Sequence, residues 1–336
     1  MKTTPLRDEL ATVSGYTPRI SIVIPAYNVE AYIRAAIQST LAQTAPAYEI
    51  IIIDDGSTDS TRAVLAEFEG HPSVRLYRQS NHGPGPTRNR GASLAGGDYL
   101  YFFDADDLLD ERFVECIQSE IARAHGPDVV LFSGQSFTED PKLSRYVKSY
   151  ARRATGSGLD SVQAISQLLE KRDWIHAPAW LYVVSRPFWH DAELAYPDII
   201  YEDENVIMPL LLAASRINIT DDVLFYRRLR AGSIMTRVRT RAHAVGRKSN
   251  LIHAIKMIEC RPSADRTVKR LLRRRCRSMA KAYLHELDAL GQPVEAGLLA
   301  RAALKTRRRE LLWECVKRMF MPKGRGPKVP SAVHDD

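Results

Sequence analysis

Five apolar or aromatic residues, Tyr99-Leu-Tyr-Phe-Phe103, run directly into Asp104-Ala-Asp106-Asp107. The shortness of the run and the Gly96-Gly97 pair before it predict a buried strand rather than a helix. A strand apolar on both faces belongs in a parallel sheet covered by helices. In open α/β sheets ligands gather off the carboxyl ends of the strands, which is where these three acids fall. Acids this close repel one another, and burying them without partners is costly. A hard divalent cation, Mg2+ or Mn2+, held by oxygen ligands removes the difficulty. Asp104 and Asp106 read as that ligand pair. Asp107 reads as an acid of the next helix, near its amino end.

The neighbouring segments alternate as such a sheet requires. Strands are predicted at Ile20 to Ile24, Glu49 to Ile53, Val74 to Tyr77, Asp128 to Ser133, Trp180 to Ser185, Ile217 to Ile219 and Val223 to Tyr226. Helices are predicted at Ala31 to Thr44, from Asp59 or Ser60 through Phe68, Thr87 to about Ala95, Glu111 to Ala124, Leu159 to Lys171 and Asp203 to Ala214. This order predicts an α/β fold with a mostly parallel central sheet. Residues 1–18 read as a loose arm, 19–236 as the catalytic domain, 237–321 as a helical extension and 322–336 as a disordered tail.

Charge separates the last two parts from the first. Residues 1–236 carry 23 Lys and Arg against 31 Asp and Glu, whereas 237–336 carry 25 against 9. Cys116, Cys260, Cys276 and Cys315 form no C-x-x-C pair, and the histidines form no H-x-x-x-H pair. This argues against a zinc site or a disulfide framework. The most apolar stretch, Val206 to Ala214, is too short to span a bilayer and includes Pro209. No signal peptide is apparent. A cytoplasmic protein is expected, with a peripheral position on the membrane as an option.

Five segments fall in a fixed order: SIVIPAYNVE at 21–30, IIIDDGSTD at 51–59, TRNRG at 87–91, FFDADD at 102–107 and YEDE at 201–204. Each is weak alone. Together they resemble the family 2 glycosyltransferases over roughly residues 20–236. The resemblance implies the GT-A nucleotide-diphospho-sugar transferase fold. It also implies a UDP-sugar or similar donor, a divalent metal (Mn2+ or Mg2+) and inversion at the anomeric carbon. By resemblance Asp104 faces the ribose side, Asp106 binds the metal, and Asp203 is the catalytic base with Glu202 beside it.

The residues suit these roles. Pro25 and Ala26 end the first strand, and Tyr27 offers a flat face for a nucleobase, or else belongs to the core. Asp55 can accept from a base N–H, while Asp54 serves either the ligand or the Gly56 turn. Arg88 follows a Gly/Pro loop at the predicted helix start, which suits a diphosphate or the nucleotide. Glu204 reads as an ordinary acid at a helix amino end. Arg228, Arg230 and Ser233 match the family's arginine-rich segment and can close over the diphosphate, though a solvated strand end explains them as well. Trp174, Trp180 and Trp189 can stack on an acceptor sugar or fill the core.

The expected function is metal-dependent inverting transfer of one sugar to a hydroxyl of a saccharide or lipid-linked acceptor, in cell-surface polysaccharide or glycoconjugate synthesis. A Q-x-x-R-W segment and membrane spans are absent, which argues against processive synthesis. A sugar-1-phosphate nucleotidylyltransferase needs a G-x-G-x-R loop after the first strand, which Pro25-Ala-Tyr-Asn28 is not. A non-catalytic nucleotide-sugar-binding scaffold is a further alternative, against which the retained acids weigh. The basic helices of 237–321 can lie on an anionic membrane surface or pack on the protein or a second subunit. Nucleic acid is not expected, because few aromatics interleave with the arginines. Donor sugar, acceptor, linkage and oligomeric state stay open.

Overall fold

The computed structural model describes residues 17–123, 126–171, 175–230, 239–307, 310 and 313. The predicted arm up to residue 16, Trp174, Ser233 and the 322–336 tail lie outside the described residues. Contacts divide the chain into two compact units. One comprises Met1–Asp198 and Val206–Thr236, the other Ile199–Asn205 and Arg237–Asp336. The segment 199–205, expected with the catalytic domain, groups with the helices.

In the first unit, strands β1 (Ile20–Ala26), β2 (Glu49–Asp54), β3 (Val74–Arg78) and β4 (Tyr99–Phe102) form the parallel half of a ten-stranded sheet whose main path runs β3-β2-β1-β4-β9-β6-β10-β5, with β7 pairing off β6 and β8 off β10. The strand β9 (Tyr182–Ser185) runs antiparallel to β4 and to β6 (Val129–Phe137), while β6 and β10 (Ile217–Arg228) are parallel. Short strands β5 (Leu108–Leu109), β7 (Ser149–Tyr150) and β8 (Gly156–Leu159) were not legible as strands. The two short strands expected at 217–219 and 223–226 are one, β10, with register shifts between Ile219 and Phe225 that absorb Thr220-Asp221-Asp222.

Helices α1 (Ile33–Leu41), α2 (Thr61–Ala66), α3 (Pro84–Leu94), α4 (Phe113–Arg123), α5 (Ser161–Glu170) and α6 (Arg186–Asp191) complete this unit, together with most of α7 (Asp203–Ala213). Ile50 to Ile53 are at most 1% exposed, as are Ile33 and Ile37 of α1. Each such side chain contributes about 1.5–3 kcal/mol by leaving water. Trp180 stacks on Phe225 at 4.2 Å and Trp189 packs on Phe102 at 5.2 Å, both buried, so these two tryptophans are core.

The second unit is helical: α8 (Arg241–Glu259), α9 (Arg266–Ala289) and α10 (Ala296–Thr306). Leu251, Ile255, Cys276, Met279, Tyr283, Leu287 and Leu299 form its core. Burial pushes the Cys276 thiol up to about 12, so it behaves as an apolar side chain; Cys260, by contrast, is exposed.

Candidate active site

The strand ends of the first unit bring several expected residues together. At β2, Asp54 Oδ1 accepts from the Ser57 N–H at 3.0 Å, so it holds the turn. Asp55 is 2% exposed. Its Oδ1 accepts from Gln79 Nε2 at 2.7 Å and from the His82 N–H at 3.0 Å, and its Oδ2 from the Gly83 N–H at 2.8 Å. Asp55 therefore ties the loop entering α3 to the end of β2. Ala26 is buried in β1 beside Asp54, Pro25 pairs in register with Ile53, and Tyr27 is 41% exposed.

Every residue of Thr87-Arg-Asn-Arg-Gly91 has a structural task, Thr87 Oγ1 donating to the Gly83 carbonyl at 2.7 Å. The helix starts at Pro84, not Thr87, because prolines suit the first turn, where an N–H has no partner to lose. Arg88 consequently sits a turn inside α3 and not at its amino end, where the anion site was expected. It is 3% exposed and its Nη2 lies 2.7 Å from Asp104 Oδ1. Asn89 grips the Tyr196 backbone, donating to its carbonyl at 2.8 Å and accepting from its N–H at 2.9 Å. Arg90 donates to Gln79 Oε1 and to the Arg78 carbonyl. A methyl group at Gly91 would stand 2.2 Å from Val23 Cγ1, so only glycine lets α3 lie this close to β1.

Asp106 Oδ2 accepts from Arg230 Nε at 2.7 Å, and the Asp106 carbonyl accepts from Arg228 Nε at 3.0 Å. Burial, and then the Asp104 charge, push the Asp106 carboxyl above its ordinary value despite Arg230. Asp107 was expected to open the next helix. Strand β5 intervenes instead, and α4 begins only at Phe113. Asp107 is buried and accepts from the Arg228 N–H at 2.7 Å, fixing the end of β10. Burial and the Asp106 and Asp104 charges raise its carboxyl well above the ordinary range. Arg228 also pairs with Glu139, and Arg228 and Arg230 both lie over the Tyr32 ring, at 5.4 and 4.8 Å. Neither Tyr32 nor Asn89 is among the expected site residues. Asn89 had a signal, its place in TRNRG; Tyr32 had none.

Asp104 and Asp106 remain 29% and 22% exposed, oxygen donors of the kind Mg2+ and Mn2+ take. Among the described residues no group of three or more acids, histidines or cysteines is arranged to hold a metal. A cation held here would take one or two carboxylates and complete its shell with substrate phosphate and water.

Glu202 and Asp203 belong to the helical unit; Glu202 is 6% exposed, and Asp203 opens α7. Glu204 forms ion pairs with Arg275 and, at 4.0 Å, with Arg247, a firmer role than that of a helix-end acid.

The family model described as "Glycosyl transferase family 2" matches residues 21–178. YibD, an uncharacterized glycosyltransferase of Escherichia coli, is 30% identical over 69% of this chain and 66% of its own length. GlyG of Streptococcus pneumoniae is 28% identical over 64% of this chain and 72% of its own. The chondroitin synthase of Escherichia coli is 41% identical over 32% of this chain, but that match covers just 16% of the synthase. The chain therefore spans just under two thirds of YibD and a small part of the synthase. Among solved structures, Staphylococcus aureus TarS 1–349 superposes with a TM-score of 0.63 at 17% identity, covering 88% of each chain. Its complex with UDP-GlcNAc gives 0.61 at 18%, covering 89% of this chain and 92% of that one. These likenesses, with the mostly parallel sheet and the C-terminal helices, identify the fold as GT-A.

Proposed function

The chain belongs to the family 2 glycosyltransferases, and we propose that it moves one sugar from a UDP-sugar to a hydroxyl of a saccharide or lipid-linked acceptor, with inversion. The observation that carries this reading is the cluster at the ends of β4 and β10. There Asp104 and Asp106 lie part-exposed beside the guanidiniums of Arg88, Arg228 and Arg230. A nucleoside diphosphate needs such a mixture: cationic groups for its charge and carboxylates that can share a cation with it. A structural neighbour supports this reading, since TarS has been solved with UDP-GlcNAc and with UDP.

In the proposed reaction Asp203 takes the proton of the acceptor hydroxyl. The freed oxygen attacks the anomeric carbon as the bond from that carbon to the diphosphate oxygen breaks, and UDP leaves with the electron pair. Glu202 stands beside Asp203 in the chain, and Tyr27, Asp55 and the Pro25-Ala26 strand end are assigned to the nucleoside. Asp104 and Asp106 would hold Mn2+ or Mg2+, whose chemistry when bound is to neutralise charge developing on the leaving diphosphate. Arg230 now neutralises Asp106, so donor binding exchanges that pair for contacts to phosphate.

No helix among the described residues is long and apolar enough to cross a membrane. The basic face of α9, with Arg270 and Lys281 exposed, is assigned to an anionic lipid surface, which suits a lipid-linked acceptor at the cytoplasmic face. A thermal-shift titration with UDP and UDP-sugars, with and without Mn2+, tests the donor site. Ion-dependent stabilisation is expected and should disappear in Asp106→Asn; stabilisation that ignores both the ion and this substitution would refute the metal role.

A further inference from the structure

The C-terminal helices reach the segment that carries Asp203, and they do so within one compact unit. A methyl group at Gly246 of α8 would stand 2.2 Å from the Ile200 carbonyl oxygen, so helix and segment meet at backbone distance. The next residue, Tyr201, has φ +68°, a left-handed conformation unusual for a side chain of its size. Such a backbone persists only where its surroundings over-determine it, and here they do. The Tyr201 hydroxyl accepts from Arg239 Nη1 at 2.6 Å, and the Arg247 guanidinium lies 3.4 Å from its ring centroid. Its carbonyl accepts from Asn250 Nδ2 at 3.2 Å.

Asn250 is 2% exposed and works at both ends. While Nδ2 holds Tyr201, Oδ1 accepts from Asn205 Nδ2 at 2.6 Å. One buried amide thus spans Glu202-Asp203-Glu204, tying the residue before it to the residue after it. Arg275 of α9 adds an ion pair to Glu204. Side chains of α8 and α9, none of which belongs to a family motif read from the sequence, therefore fix three of the five residues from 201 to 205.

We propose that Asn250 is a positioning residue for transfer: by clamping Tyr201 and Asn205 it sets the direction of the Asp203 carboxylate, and this makes the C-terminal helices part of the catalytic apparatus. The proposal rests on Asp203 being the base.

The test uses the full chain with Mn2+. The substrate is whichever of UDP-glucose, UDP-galactose, UDP-GlcNAc and UDP-GalNAc the wild type hydrolyses fastest, water standing in for the acceptor and UDP release being followed. Asn250→Ala and Asn250→Asp should lower kcat by about 10²-fold, the scale on which small misplacements act. The donor KM and the thermal shift produced by UDP should stay within twofold, and the acid limb of the kcat–pH profile should move. Asn205→Ala, which empties no buried site, should show the same signature, and the double substitution should be markedly non-additive. A folded Asn250→Ala with wild-type kcat and an unmoved pH profile overturns the proposal. So does a loss confined to thermal stability. If the Asn250 variants do not fold, Asn205→Ala decides by the same criteria. Asp203→Asn separates the two readings. Its retention of turnover refutes the base assignment, and the absence of wild-type turnover on all four donors refutes the UDP-sugar reading on which the proposal rests. Its loss of turnover beside normal Asn250 and Asn205 variants refutes only the positioning role.

Discussion

At the strand ends of the sheet unit, Asp104 and Asp106 each face a guanidinium from a distant segment, Arg88 and Arg230. In the helical unit Glu204 likewise faces Arg275. The surroundings differ. Asp104 and Asp106 stay 29% and 22% exposed, open to a ligand that could take over from their arginines. Around 199–205 the supporting groups are closed in, Glu202, Asn250 and Glu286 being at most 6% exposed, although Glu204 itself keeps 20%. Charge pairs in the first region join segments far apart in sequence, while in the second they hold a backbone shape. The difference teaches that like ion pairs serve differently: near the strand ends they join distant segments of the sheet unit, and around 199–205 they help fix a backbone shape.

The sharpest way to break this contrast is a pair of substitutions. Asp203→Asn should cost about 10²–10⁴-fold in transfer, the contribution of a positioned base, and leave UDP binding intact. Asp106→Asn should also abolish transfer, but together with the ion-dependent stabilisation by UDP. If calorimetric titration shows both variants losing UDP binding alike, the division between binding and placing fails.

A second pair compares the two tight glycines. Gly91→Ala meets the Val23 side chain in the core and should cost about 1–3 kcal/mol, as overpacking does. Gly246→Ala meets a carbonyl backbone that can move only with Tyr201. Urea unfolding should register both, but kcat per folded molecule should fall only in Gly246→Ala.

Acid should separate the units more gently. Burial works against ionisation of Glu49 at the start of β2, yet the Gly96 N–H, Arg75 and Ser21 outweigh it and hold the carboxyl below its ordinary 4.5. A group lowered in the folded state adds stability that is fully present above 4.5 and is lost as pH falls through the folded value. Glu49→Gln should therefore cost about 1–3 kcal/mol at neutral pH and flatten the loss seen below pH 4.5 in denaturant titrations.

The smallest expected effect concerns the basic face of α9. Replacing exposed Arg270 and Lys281 by Gln should change stability by no more than about 0.5 kcal/mol and leave kcat on soluble donors unchanged. Sedimentation with phosphatidylserine vesicles should weaken by about 1 kcal/mol per residue removed. Unchanged sedimentation would refute the lipid assignment.

Much of the sheet was legible because apolar runs such as Glu49 to Ile53 and Tyr99 to Phe103 are local signals, and so are the helix repeats of Ile33, Ile37 and Leu41. The strands β5, β7 and β8 were not legible: they have two to four residues each and exist only through pairing with β10 or β6. The reversal of β9 is likewise a property of its neighbours. Asp107 shows the same limit at the site. Its sequence context suited a helix start, and only the return of β10 to place the Arg228 N–H beside it made it a buried anchor.

By itself the sequence determined the chemical inventory: carboxylates at strand ends, a family pattern spread over 20–236, and a basic helical remainder. These follow from spacing along one chain, where periodicity and motif order are local properties. Tertiary structure decided which arginine answers which acid, that Arg88 lies inside a helix, and that 199–205 packs with α8 and α9. Those outcomes depend on hydrogen bonds and close backbone contacts between residues dozens of positions apart. Nothing in the immediate neighbourhood of Gly246 or Asn250 announces them, because the partner that gives each residue its meaning arrives only when the chain has folded.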